Sequence, residues 1–314
     1  MWLDKKEEGG CCLLSSFLLL VTIRYKLLAS LKFKMLNLNE IMLLARPIAW
    51  GAGDILMKYY QEPQDLEIRF KGGEEGNVTS ADLAANDFIL SQLKLAFGTD
   101  EFAYLSEETE DNADRLNHEW VWIIDPMDGT SDFIRRTNEF AVHIGLTYRQ
   151  RPVLGLVATP AQDRLFQGVL GNGAYIERRD GSQQRIQVSD KTELDQMVVV
   201  ASRSHRNYQL ECILHQLPKA AEIAVGSIGG KFAAIASGNA DVYISVSGKS
   251  APKDWDYCAP EIILTEAGGQ LTHADLSLLS YNNLELRQWG TIVASNGRCH
   301  NEICKISQEA IAIK

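Results

Sequence analysis

The sequence predicts a layered α/β protein with a large antiparallel share, and three observations carry that prediction. Runs rich in β-branched and aromatic residues recur through the middle of the chain. Segments of helical periodicity flank and divide them, which is the pattern of helices packed on sheets. A Gly171-Asn172-Gly173 turn signal joins two of the runs as a hairpin. The 314 residues allow two domains or one continuous α/β body, large enough to bury a core without disulfide or metal staples.

In chain order, residues 36–60 place Ile41, Leu44, Ala45, Ile48, Ile55 and Leu56 near one helical face. Residues 61–77 are polar and glycine-rich, centred on Lys71-Gly72-Gly73-Glu74-Glu75-Gly76, and read as a mobile loop. Thr79-Ser80-Ala81-Asp82 opens a second helix with a hydroxyl-x-x-acid cap pattern, reaching about Phe97. Strands are expected at 120–124, 140–148, 153–158, 164–170, 174–177, 185–188, 197–201 and 241–246. Further helices fit 207–216, 228–237, 257–267 and 298–311, the third stopped by Gly268-Gly269. A shift near 185–196 marks an expected boundary between an α+β subdomain over 35–190 and an α/β subdomain over 191–314.

Composition narrows the function. A formal charge of −10 argues against general affinity for nucleic acid, which needs clustered Lys and Arg. The six cysteines show no metal or redox spacing, so free thiols and a cytoplasmic location are expected. Asn77-Val78-Thr79 matches a glycosylation triplet and reads as unused. Residues 11–23 form an apolar run too short to span a membrane, behind a leader that is not net positive. Residues 1–34 are therefore expected to lie outside the fold, with Met35 as the effective start; a targeting segment and a membrane-surface helix stay open as alternatives.

The chemistry concentrates at Trp120-Val-Trp-Ile-Ile-Asp125-Pro-Met-Asp128-Gly-Thr130. A hydrophobic strand is expected to end at Asp125 and turn, so that two carboxylates face one cavity and share a hard cation. Gly129 keeps a Cβ away, and the amides at the start of a short helix suit a phosphate oxygen. Taken singly, each acidic motif also has an ordinary reading. Asp125 to Asp128 could be an acidic turn, Ser106-Glu107-Glu108 a solvated one, Asp82 a helix cap, and Lys253-Asp254-Trp255-Asp256 a helix start. Together, separated carboxylates at element edges beside a phosphate-ready turn make a multi-metal phosphatase the economical reading. Other signals fail. Gly51-Ala-Gly53 lacks a dinucleotide fingerprint, and the segment from Gly226 to Lys231 is too short for a Walker loop. Ser202 and Ser204 lack a nucleophile elbow. His118, His215, His273 and His300 form no spaced metal set, and His143, in an apolar strand, reads as a core residue.

These motifs, with Phe133 and Glu266-Ala267-Gly268-Gly269, resemble the inositol monophosphatase superfamily of Mg²⁺-dependent, lithium-sensitive phosphatases over about residues 40–300. The resemblance implies the layered α-β-α-β-α sandwich of inositol monophosphatase and fructose-1,6-bisphosphatase, often as a homodimer. It implies one Mg²⁺ held by Glu107, Asp125 and the Met127 carbonyl, a second by Asp125, Asp128 and Asp256, and a weaker third near Glu107. Thr130, paired with Asp82, would orient and deprotonate the attacking water.

Ser202-Arg203-Ser204-His205, Gly226-Ser227 and Lys231 point within the superfamily to the CysQ-type 3′(2′),5′-bisphosphate nucleotidases. Substrate would then meet Glu107, Met127, Asp128, Gly129, Thr130 and Asp256 on its metal side. Arg203, His205, Gly226, Ser227 and Lys231 would border its nucleotide side, offering cations to a second phosphate. Two departures stand out. The stretch ending at Lys231 is one residue longer than the usual Gly-Ser-Ser-x-Lys, and Cys258-Ala259-Pro260 replaces a common Ala-Ala-Gly. The implied reaction removes the 3′-phosphate of adenosine 3′,5′-bisphosphate, leaving AMP. Inositol phosphates or fructose 1,6-bisphosphate are the alternative substrates, and a nucleotide-binding pseudo-phosphatase is the non-enzyme alternative.

Overall fold

The computed structural model describes residues 37–72, 76–203 and 206–312. The expectations for residues 1–34 and for Met35 fall outside them, as does the loop centre at 73–75. Helices α1 (Leu38–Gln61) and α2 (Ser80–Phe97) lie where helical spacing puts them. Between them the expected loop contains a small hairpin: β1 (Ile68–Phe70) pairs antiparallel with β2 (Asn77–Thr79). Strands of three residues are too short for alternation to register, which is why composition alone reads as loop. The cap of α2 forms as its sequence requires. The Thr79 hydroxyl accepts from Ala81 and Asp82 amides, and Asp82 Oδ2 accepts from Thr79 N at 2.7 Å.

A seven-stranded sheet follows in spatial order β3 (Phe102–Ser106), β4 (Trp120–Asp128), β5 (Ala141–Tyr148), β6 (Arg151–Thr159), β7 (Arg164–Val169), β8 (Gly173–Arg178) and β9 (Gln183–Ile186). Only the β3–β4 pairing is parallel. Strands β5 and β6 are buried along almost their whole length, so both sheet faces are covered and the runs read as continuously apolar. Between β4 and β5 sits a short helix, α3 (Thr130–Arg135).

The second sheet holds β10 (Val198–Ser202), β11 (Ala221–Val225), β12 (Val242–Val246), β13 (Gln270–His273) and β14 (Thr291–Ser295), ordered β11-β10-β12-β14-β13. Sequence patterning misses β3, β11, β13 and β14. The edge strand β11 is exposed along most of its length, so burial imposes no alternation on it. Helices α1 and α2 lie on the large sheet's outer side, where Trp50 Nε1 donates to Glu177 Oε1 at 3.0 Å. Helices α4 (Tyr208–Gln216) and α7 (His300–Ala312) back the small sheet through Leu210, Ile213, Ile303 and Cys304. Between the sheets, α5 (Ile228–Ala236) and α6 (Asp254–Glu266) bring Phe232, Trp255, Tyr257 and Ile263 against Ile123, Phe166, Val200 and Tyr243. The layered α/β architecture is as expected. Among the described residues no helix is long and apolar enough to cross a membrane.

One strip of the large sheet decides where α6 lies. Gly145, Gly155 and Gly168 are direct cross-strand neighbours on β5, β6 and β7. A Cβ on Gly155 would stand 2.5 Å from Ala259 O, and one on Gly168 would stand 2.8 Å from Ile263 Cα. Without side chains there, α6 beds directly on the sheet. Its far end is tied down by Glu266, whose carboxylate accepts from Gly171 N at 2.8 Å and Gly173 N at 2.7 Å. That placement carries the first turn of α6, with Asp256, to the end of β4.

Candidate active site

Asp125 and Asp128 are three residues apart, and in a regular strand they would face opposite sides. A bulge removes the conflict. Asp125 lies opposite His143 and Asp128 opposite Ala141, so three steps along β4 match two along β5. The extra residue returns Asp128 to the face of Asp125. The strand therefore runs on to Asp128, where the sequence suggested an end at Asp125. Asp125 Oδ1 accepts from Met127 N at 3.0 Å, bracing the bulge. Asp256 enters from the first turn of α6, held by Lys253 N donating to its Oδ2 at 2.6 Å. One oxygen from each of Asp125, Asp128 and Asp256 lies within 4.8 Å of the others. Glu107 lies just past β3, close enough for its charge to act on Asp125.

The electrostatics are those of a crowd of carboxylates. Burial, then repulsion from Glu107, Asp128 and Asp256, holds the Asp125 carboxyl well above its ordinary range. Burial and the neighbouring Asp128 push Asp256 up to about 7, and burial raises Glu107. Burial opposes ionisation of Asp128 too, but His143, Lys231 and the Gly229 amide together outweigh it, and Asp128 lies below its ordinary value. Ionised carboxylates at this spacing call for a cation, and an all-oxygen donor set suits a hard divalent ion.

Beside the cluster, Gly129 has φ 90°, and a Cβ there would meet Glu139 O at 2.9 Å, so the position requires glycine. Thr130 Oγ1 lies 3.2 Å from Asp82 Oδ1 and 3.2 Å from the Met127 carbonyl oxygen, and its one proton can serve either. Asp82 makes two contacts at once: Oδ2 caps α2 while Oδ1 faces Thr130. Burial pushes Asp82 up to about 7.

The nucleotide-side candidates fare differently. Arg203 Nη2 donates to both oxygens of Glu139, at 2.8 and 2.7 Å, and Gly226 N donates to Glu139 Oε2 at 2.7 Å. Ser227 caps α5, accepting from Gly230 N at 2.9 Å. Lys231 is a correction to the expectation of an open cation: it is 1% exposed and turned inward. Its ammonium donates to Gly226 O at 2.8 Å and Ser227 O at 3.0 Å, stapling the turn before α5. The reason is its place in the first turn of a helix packed between two sheets. His205, with Ser204, lies outside the described residues.

Three residues at the site escaped sequence reasoning. Lys71 Nζ donates to Glu108 Oε1 at 2.5 Å and lies 3.5 Å from Glu107 Oε1, yet nothing in its polar segment could aim it. Glu139 shows its role only through Arg203. His143 is buried as expected, but its Nε2 stands 3.2 Å from Asp128 Oδ2.

Residues 37–312 match the model of the inositol monophosphatase family. The chain is 32% identical to the 3′(2′),5′-bisphosphate nucleotidase CysQ of Salmonella typhimurium over 250 residues, 79% of this chain and 95% of that protein. It is 31% identical to the enzyme of that name from Escherichia coli K12, covering 74% and 89%. Among solved structures, CysQ from Bacteroides thetaiotaomicron superposes with TM-score 0.70 at 28% identity, over 83% of this chain and 99% of that one. The suhB protein of Bartonella henselae gives 0.74 at 25%, over 86% and 99%. Sequence match, layered sheets and the Asp125–Asp128–Asp256 cluster agree: the chain belongs to the inositol monophosphatase family.

Proposed function

We propose that this protein is a Mg²⁺-dependent phosphomonoesterase that hydrolyses the 3′-phosphate of adenosine 3′,5′-bisphosphate to AMP and phosphate. The observation that carries the reading is the convergence of Asp125, Asp128 and Asp256 on one small volume beside the Thr130–Asp82 pair. The relatives' name, 3′(2′),5′-bisphosphate nucleotidase, supports the choice of substrate. Glu107, Asp125 and the Met127 carbonyl would hold one Mg²⁺, with Asp125, Asp128 and Asp256 holding a second and a weaker third near Glu107. Bound Mg²⁺ supplies the positive charge that phosphoryl transfer requires on its entering and leaving oxygens. Thr130 donates its hydroxyl proton to Asp82 and can then accept a hydrogen bond from water, orienting it for attack. Asp82, pushed up to about 7, is suited to take the proton that the water sheds.

A phosphate-release assay over adenosine 3′,5′-bisphosphate, inositol 1-phosphate and fructose 1,6-bisphosphate, each with and without Mg²⁺, tests this reading. The bisphosphate nucleotide should be cleaved fastest, and only with the metal. One observation favours inositol phosphate instead: Arg203 is engaged by Glu139, and Lys231 is turned inward, so neither stands open to a second phosphate. A clear preference for inositol 1-phosphate would decide for that second reading.

A further inference from the structure

We infer that His143 is a positioning residue for the acidic cluster, holding Asp128 in orientation and linking it to the helix that carries Asp256. The inference rests on the reading of that cluster as a metal site. His143 is fully buried on β5, directly opposite Asp125. Its Nδ1 lies 3.2 Å from the Trp255 carbonyl oxygen, which can only accept, so Nδ1 carries a proton and donates. Trp255 immediately precedes Asp256 in the first turn of α6. Oxygen acceptors face both ring nitrogens, so the ring is the imidazolium, and Nε2–H is aimed at Asp128 Oδ2 from 3.2 Å, off the line of a fully formed hydrogen bond.

The same Oδ2 accepts from Gly229 N at 2.7 Å, from the first turn of α5. The two partners interlock. A Cβ on Gly229 would stand 2.2 Å from His143 Nε2, so the imidazole fills the space that glycine leaves. Asp128 Oδ2 thus takes a hydrogen bond from a helix start and an ion-pair contact from a strand, and Oδ1 is the oxygen that neither partner faces. The imidazole reaches from one acidic residue of the cluster to the backbone beside another. A side chain that merely filled the core would need neither contact.

Amide isosteres separate the two arms. The Asn side-chain nitrogen falls near the place of imidazole Nδ1, and that of Gln near Nε2. His143→Asn therefore keeps the donor to Trp255 O and withdraws from Asp128, whereas His143→Gln keeps a donor beside Asp128 Oδ2. Mn²⁺ binding, read by the spin-resonance signal of free Mn²⁺ titrated with the full chain, is measured beside thermal unfolding. His143→Asn should weaken Mn²⁺ binding about tenfold or more, and His143→Gln by no more than about threefold, a split typical of partners behind a ligand. A packing role would lower both melting temperatures and leave affinity alone. Gly229→Ala, which leaves His143 in the chain but displaces its ring, should weaken binding like His143→Asn. Wild-type affinity in His143→Asn or Gly229→Ala, or equal losses in the Asn and Gln variants, would overturn the inference. Failure of the unaltered protein to bind Mn²⁺, or undiminished binding in Asp128→Asn, would instead sink the metal-site reading beneath it.

Discussion

Gly155→Ala is the substitution through which the fold and the site can be tested together. The added Cβ would meet Ala259 O at 2.5 Å, Ile262 Cγ2 at 2.5 Å and Ala259 Cα at 2.9 Å. Ordinary contact begins near ~3.4 Å, so about 1 Å of overlap has to be relieved. Two of the three atoms belong to the backbone of α6 and cannot rotate away, so the helix itself must lift from the sheet. Overpacking of this kind costs ~1–3 kcal/mol, and backbone contacts put the change toward the upper end. The better strand propensity of Ala offsets at most about 1 kcal/mol, leaving a net loss of roughly 2 kcal/mol.

For a chain of 314 residues that loss corresponds to a melting temperature lower by roughly 3 °C, read by calorimetry or circular dichroism. A second effect should accompany it. Asp256 lies one helical turn before Ala259, so lifting α6 withdraws one member of the acidic cluster, and more divalent metal should be needed for half-maximal activity. Gly248→Ala is the control, since its nearest neighbour is Asn207 Nδ2 at an ordinary 3.6 Å. If Gly155→Ala melts within about 1 °C of the unaltered protein and keeps its metal requirement, the account of α6 bedded on a glycine strip is wrong.

Three further outcomes are expected. Asp128→Asn is nearly isosteric and should keep the fold while losing most turnover, so near-normal phosphate release at modest Mg²⁺ would refute its role as a ligand. A distal phosphate must replace Glu139 on Arg203, so adenosine 3′,5′-bisphosphate should exceed adenosine 3′-monophosphate in kcat/KM by only about tenfold, the low end for a charge-assisted contact. Glu139→Gln should widen that preference and Arg203→Ala abolish it, and steady-state kinetics showing no change in either variant would exclude Arg203. Burial pushes His300 down to about 4 from its ordinary 6.5, so the folded protein binds its proton less readily than the unfolded chain does. Stability from this group should be intact above pH 6.5 and fall by roughly 2–4 kcal/mol as pH drops toward 4. Urea titrations of the protein and of His300→Gln should diverge across that window; parallel curves would contradict the shift.

What was legible in the sequence and what was not divide along a physical line. The acidic motifs could be read because each carries its local cause beside it: Thr79 before Asp82, Pro126 and Gly129 around Asp128, the first turn of α6 around Asp256. Contacts fixed by strand register could not. Gly145, Gly155 and Gly168 lie in three strands, and singly each looks like a weak point in its strand. Only the pairing of Gly145 with Gly155, and of Gly155 with Gly168, turns them into a bed for α6. His143 illustrates the same limit from the other side. Its apolar neighbours correctly predict burial, but its partner depends on the bulge that sets Asp125 opposite it and swings Asp128 onto the shared face. Lys231 reads as a cleft cation for as long as α5 is imagined at the surface, and packing between two sheets turns it inward. The acidic residues at this site are therefore local properties of the chain, whereas their spacing depends on register. A substitution that shifts the β4–β5 bulge without touching any acidic residue should be as damaging to the site as removing one of its carboxylates.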